Sequence, residues 1–245
     1  MIIKNSKSYT FFLSLFVAFA VIMPFISSCG KGGQASSVGL NTQIEVLNLS
    51  PDLAPVNLYI TFLSQGTGTY YYSINSGYFF VNSLDTPMQV RTASTTTSTI
   101  NLLTIDTTLL ANHKYSLFIT GLYTTDSLTY ILTRDDTAKT PRVGFGKLRF
   151  VNASLPRTNL NITVNGTLDT TFTAVPYKKV TNYVQLPAGI YTFQVSPTNS
   201  PATILPTPGL TNITIQDSRL YTLYTNGIVG RTDSSAFAGN VITNR

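Results

Sequence analysis

Leu148-Arg149-Phe150-Val151-Asn152-Ala153-Ser154 has a counterpart early in the chain, Ile44-Glu45-Val46-Leu47-Asn48-Leu49-Ser50. The offset is 104, and it also relates Val56-Asn57-Leu58-Tyr59-Ile60 to Leu160-Asn161-Ile162-Thr163-Val164. A third pair, Tyr115–Leu122 against Tyr221–Ile228, is offset by 106. Three blocks in one order at a nearly constant offset indicate duplication of a unit of about 100 residues, the size of an immunoglobulin-like sandwich. Repeats this long are whole domains, not solenoid turns.

Around these blocks, from Ile44 onward, short runs of Val, Ile, Thr, Tyr and Phe are separated by Gly, Pro, Asn, Asp and Ser. β-Branched and aromatic side chains suit a pleated, half-buried surface. No stretch after the N-terminal segment repeats apolar residues at helical spacing over three turns. Alternation predicts that Leu148, Phe150, Leu160, Ile162 and Val164 face a core, with Arg149, Asn161 and Thr163 pointing the other way. Asn165-Gly166 is a hairpin signal, because both residues tolerate positive φ. The expected fold is all-β: two tandem immunoglobulin- or transthyretin-like sandwiches, at 43–133 and 147–230. A solvated linker is expected at 134–146, where charge is densest, and a tail or final strand at 231–245. The two bodies are expected to fold independently.

The first 28 residues read as a signal peptide. Lys4 and Lys7 precede an apolar stretch from Phe11 to Ile26, short of the roughly 20 residues that span a bilayer. Ile26-Ser27-Ser28-Cys29-Gly30 resembles a bacterial lipobox, in which the cysteine is lipidated after cleavage. A plain signal peptide leaving a free thiol at Cys29 is the alternative; an unpaired exported thiol would need its own explanation. Residues 29–42, opening with Gly30-Lys31-Gly32-Gly33, read as the lipidated cysteine and a flexible tether. The expected location is the cell envelope, anchored at the outer membrane through Cys29, with either leaflet orientation open. Asp-Thr/Ser sequences such as Asp106-Thr107-Thr108 and Asp126-Ser127-Leu128 are similar to an O-glycosylation signal, and threonine-rich composition yields them by chance as well.

Cys29 is the only cysteine, so no disulfide staples the domains and burial must hold them. Beyond residue 28, 14 basic residues face 10 acidic ones, a thin excess that does not argue for nucleic-acid binding. One histidine and one glutamate leave no histidine-rich zinc site, no H-E-x-x-H protease and no cysteine nucleophile. His113 lacks a G-x-S-x-G elbow to serve and reads as a turn residue, replaced by Arg219 in the second repeat. Gly144-Phe145-Gly146-Lys147 lacks phosphate-loop spacing. Asp135-Asp136 lacks the ligands of a calcium loop and reads as solvated linker. No catalytic residue, metal or cofactor is assigned.

At the repeated blocks the chain resembles the exported bacterial proteins of the domain of unknown function 4397 family. Their opening strand has the form V-R-[FV]-x-N-A-S-P-x-A-P-x-V-D-V-Y. Here the first repeat has Val46-Leu47-Asn48-Leu49-Ser50-Pro51-Asp52-Leu53-Ala54-Pro55 and the second Leu148-Arg149-Phe150-Val151-Asn152-Ala153-Ser154. The later L-P-A-G-x-Y block stands as Leu186-Pro187-Ala188-Gly189-Ile190-Tyr191, and the first repeat departs there with Leu84-Asp85-Thr86-Pro87-Met88. The resemblance implies a β-sandwich on a tethered or secreted protein and no activity.

One cluster invites a binding role. Tyr70-Tyr71-Tyr72 and Tyr78-Phe79-Phe80 would place bulky aromatics on both faces of adjacent strands, one face core and the other a platform or a covered surface. The second repeat carries Phe172, Tyr177 and Tyr183 only singly. The expected function is a non-enzymatic, membrane-anchored module that binds or scaffolds an envelope protein or glycan. The alternative is a carbohydrate-binding lipoprotein of an outer-membrane uptake system, against which the absence of tryptophan counts.

Overall fold

The computed structural model describes residues 40–245 apart from 84–85, 94–97 and 165–169. The signal segment, Cys29, most of the tether and the Asn165-Gly166 turn lie outside the described residues. Within them the chain is all-β and forms two tandem sandwich modules.

The first module has an inner sheet in the order β4 (Phe79–Asn82), β1 (Leu40–Asn48), β7 (Lys114–Thr120), β8 (Thr129–Arg134). Its outer sheet runs β3 (Leu63–Tyr70), β2 (Val56–Ile60), β5 (Met88–Thr92), β6 (Asn101–Ile105). The second module repeats the plan. Its inner sheet is β12 (Val184–Pro187), β9 (Phe145–Asn152), β16 (Leu220–Asn226), β17 (Ala238–Thr243). Its outer layer is β11 (Thr170–Val175), β10 (Leu160–Val164) and β14 (Phe193–Pro197), with β13 (Gly189–Tyr191) pairing β15 (Ile213–Ile215). In both modules the opening strand lies parallel to a late one. Val46 is opposite Leu117 and Phe150 opposite Leu223.

Ile44, Val46, Leu58, Val90 and Leu117 pack the first core, and Leu148, Phe150, Leu160, Ile162 and Leu223 the second, with Val164 half-buried against it. The alternation thus selects the core face. The opposite face is not solvated. Every residue of β16 is buried, as is β7 from Tyr115 onward, because the two inner sheets pack on each other. Leu47, Leu49, Phe118 and Ile131 meet Val151, Ala153, Tyr224 and Ile242 in a third core. Phe118 and Tyr224, matched across the repeat, place their ring centroids 5.7 Å apart. The described residues form one compact unit, the two modules sharing this third core.

This packing also shortens the linker. Arg134 ends β8 and Phe145 opens β9. Asp135, read from sequence as solvated, is fully buried because it lies against Arg149 of the second module. Arg149 does point away from its own core, yet it is buried too.

Register fixes two ends of the molecule. β1 and β7 start beside the ends of β4 and β8, and Ile60, Leu63, Met88 and Ile105 are opposite one another on the outer sheet. Phe145, Pro187, Leu220 and Arg245 mark the same end of the second module. Lys114 Nζ donates to Asn244 O at 3.4 Å and Arg149 Nη1 to Arg134 O at 2.9 Å, so these ends coincide. We term this the basal end and the opposite one apical.

Candidate functional site

The chain crosses from β3 to β4 at the apical end. Residues 71–78 are not strand but a loop, held to β1 by bridges at Asn48/Tyr72 and Leu47/Asn75. This route divides the six predicted aromatics. Tyr70 is core; its Oη donates to Gln65 O at 3.1 Å and its ring stacks on half-buried Phe79. Burial pushes the Tyr70 phenol well above its ordinary range. Tyr72 Oη accepts from Asn226 Nδ2 at 3.3 Å. Tyr78 Oη donates to Asp135 Oδ2 at 2.8 Å and accepts from Asn244 Nδ2 at 3.0 Å. These four serve the core and the joint between modules, so the set is not one platform. Tyr71 and Phe80 remain, 54% and 56% exposed.

Tyr72 and Tyr78 also have counterparts, contrary to the reading of the second repeat as lacking them. At offset 105 stand Tyr177 and Tyr183. The Tyr177 hydroxyl lies 3.3 Å from that of Thr120, and Tyr183 Oη donates to Asp135 O at 2.8 Å. Each module thus extends two tyrosines to the other, related by a pseudo-twofold axis.

At the centre of the joint the matched positions carry different charges: Glu45 against Arg149, and Asp135 against Asn244. Ser116 Oγ lies 2.5 Å from Glu45 Oε1 and 2.7 Å from Asp135 Oδ2. A hydroxyl has one proton and cannot donate to two carboxylates. Asp135 is met by the Arg149 guanidinium and by the hydroxyls of Thr133 and Tyr78, so it holds the negative charge and accepts from Ser116. No cation is among the groups acting on Glu45, so of the two carboxyls it is the one whose surroundings favour the protonated form. Burial raises the Glu45 carboxyl above the usual range, and the nearby Asp135 adds to this. Burial pushes Asp135 upward as well, while Arg149 and the hydroxyls pull it down. Arg149 lies over the Tyr183 ring at 5.0 Å, and burial lifts that phenol to about 12. The cluster can share a proton and lock two modules. Its charged groups are at most 3% exposed, which leaves them out of reach of a solute.

The surface offers three further features. His113 Nδ1 is 3.0 Å from both Asp136 oxygens, beside a polar crevice of about 510 Å³ that Phe80, Lys114 and Arg245 also line. At the apical end an apolar crevice of about 470 Å³ opens between Leu122 and Ser127 of one module and Leu155, Pro156 and Ile228 of the other. The third feature is the two-residue turn from β2 to β3. Thr61 and Phe62 have φ of 45° and 69°. The Arg91 guanidinium lies over both the Tyr59 ring, at 4.7 Å, and the Phe62 ring, at 5.5 Å.

The family model for a domain of unknown function, DUF4397, matches residues 42–163 and 146–244. The chain belongs to the DUF4397 family. The DUF4397 opening strand falls on β1 and β9, the two strands that build both joint and core, and the L-P-A-G block makes the turn from β12 to β13. No curated protein matches the chain.

Sequence reasoning passed over Tyr59, Phe62 and Arg91. A signal was present: at the offset of 104 the sequence pair Asn165-Gly166 of the second DUF4397 repeat is aligned with Thr61-Phe62 in the first. The joint left a fainter trace, in Tyr72/Tyr177 and Tyr78/Tyr183 at the offset of the flanking strands.

Proposed function

We propose that this DUF4397 chain is a non-enzymatic module, held at the cell envelope by lipid on Cys29, that binds or scaffolds another envelope component at its apical end. One observation carries the reading. At the end opposite the start of β1, Tyr71, Ile74 and Tyr123 are exposed on a backbone that is tightly fixed. The Ser73 N–H donates to Asn48 O at 2.7 Å, and Asp52 accepts the Tyr123 and Thr124 N–H groups, each at 2.9 Å. Tyrosine supplies a large, rigid contact area with a hydrogen-bonding tip at low entropic cost. The joint supports the scaffold part, since a shared core presents both modules in one orientation.

Two measurements test this. A fatty-acid analogue fed to cells should label the wild type and leave Cys29→Ala unlabelled; equal labelling removes the anchor. A photo-cross-linking residue at Tyr71 should capture one component reproducibly on intact cells, and the same residue at exposed Thr137 should not. Identical capture from both positions removes the binding surface. A glycan in the captured material selects the carbohydrate-binding form of the reading.

A further inference from the structure

We propose that the basal end of the molecule rests on an anionic lipid surface, with Phe62 as the side chain that enters it. The proposal deepens the anchored-module reading and rests on it for the nearness of a membrane. Three connections and the short strand β13 bring bulky apolar side chains to this end. Phe62 is 75% exposed at the tip of the β2–β3 turn, and Val143, between β8 and β9, is 89% exposed. Ile190 follows the β12–β13 turn, and Leu110 precedes β7; both are exposed. Exposed apolar side chains spread over one end suit penetration of a soft interface better than enclosure of a small ligand.

Backbone conformation points the same way. A bulky residue in the left-handed region is a true outlier, and at the aligned sequence position the second repeat has Asn165-Gly166, a pair that tolerates positive φ. The strain at Thr61-Phe62 holds an aromatic ring outward and gains nothing for the core. Strain retained at one site is a pointer to a role there.

Charge supplies the complement. Arg134, Lys139, Arg142, Arg219 and Arg245 are exposed at the basal end and form no ion pair among the described residues. Arg91 adds a cation between the Tyr59 and Phe62 rings. The apical end carries fewer, with Arg157, Lys178 and Lys179 exposed there without an ion pair among the described residues and Arg231 paired with Asp233. Basic groups around apolar tips are what an anionic headgroup layer attracts. The chain also enters β1 at the basal end. Ten residues separate Cys29 from Leu40, so the anchor lies within about 40 Å of that strand at full extension.

The chain contains no tryptophan, which makes a single Phe62→Trp an unobstructed reporter, with Tyr71→Trp at the apical end as its control. Both are placed in the full chain, with Cys29 intact and as Cys29→Ala, and mixed with phosphatidylglycerol vesicles bearing brominated acyl chains. Tryptophan at 62 should shift to the blue and be quenched several-fold more than tryptophan at 71. Reversing Arg142 and Arg219 to glutamate should weaken the Cys29→Ala chain's binding by about fivefold or more per site. Equal quenching at the two positions, or none at 62, overturns the proposal. So does binding that is the same on phosphatidylcholine vesicles. Fatty-acid labelling of the same preparations reads the anchor separately. An unlabelled chain that still shows quenching at 62 loses the anchor and keeps this surface; a labelled chain without quenching does the reverse.

Discussion

The two modules agree to the level of single hydrogen bonds. Ser73 N–H donates to Asn48 O and Lys178 N–H to Asn152 O, with Ser73 and Lys178 both at positive φ. Val46 N–H donates to Ser76 Oγ, and Phe150 N–H to Thr181 Oγ1. The hydroxyls of Tyr115 and Tyr221 accept from Leu110 and Gln216 N–H. Gly121 and Gly227 turn at the same point, where a Cβ would lie 2.2 Å from a carbonyl oxygen. The modules differ where they face each other and at the β2–β3 tip. Two identical copies would bury two glutamates and two aspartates in one dry joint. Like charges there repel strongly. Arg149 and Asn244 resolve that conflict, so the duplicated unit became a pair of complementary halves.

The two sides of this joint should respond unequally to the loss of charge. Arg149→Met leaves Asp135 buried with no cation and should cost about 3–5 kcal/mol of stability at neutral pH, read by denaturant unfolding. Adding Asp135→Asn should restore much of it. A loss near zero for the single change would mean that the guanidinium does not hold the joint.

A smaller effect, of opposite sign, is expected at the tip. Copying the aligned sequence of the second repeat into the first, Thr61→Asn with Phe62→Gly, should raise stability by about 1 kcal/mol, because Thr61 and Phe62 both lie at positive φ. A thermal melt checks it. Destabilisation would show that the Arg91–Phe62 contact outweighs the backbone strain.

The smallest effect is at Glu45, and it depends on pH. Folding raises this carboxyl, so the native state binds more protons than the unfolded one at pH values above the ordinary carboxylate range. Stability then falls as pH rises from about 4.3 toward the raised native value. Glu45→Gln, which keeps a donor toward Ser116, should remove that slope. It should match the wild type near pH 4 and exceed it increasingly toward pH 7. Parallel stability curves would place the shared proton elsewhere.

The strands, their inward faces and the duplication were legible because Ile44, Val46, Leu148 and Phe150 alternate at period two on a repeated frame. The joint was not. Glu45 and Arg149 occupy the outward positions of their strands, and in a lone sandwich those positions meet water, so only the neighbouring sheet makes them interior. The same ambiguity misplaced Asp135. It also made six aromatics look like one cluster, although the chain bends between Tyr71 and Tyr78 and sends its neighbours to different layers. Phe62 drew no notice because a Thr-Phe pair carries none of the usual turn chemistry; only comparison with Asn165-Gly166 reveals what was replaced.

The parallel pairing of β1 with β7 has a consequence in time. Gln43 waits for Lys114, 71 residues later, and Lys147 waits for Leu220. Non-local pairing of this kind makes folding slow. The joint lengthens the wait: the first module's Tyr78 and Asp135 gain their last partners only when Arg149, Tyr183 and Asn244 arrive. A chain cut short after the first module therefore exposes Leu47, Leu49 and Phe118 beside an unmatched acid, an adhesive surface. The joint closes late, because Asn244, more than a hundred residues after Tyr78 and Asp135, completes the contact with the module made first.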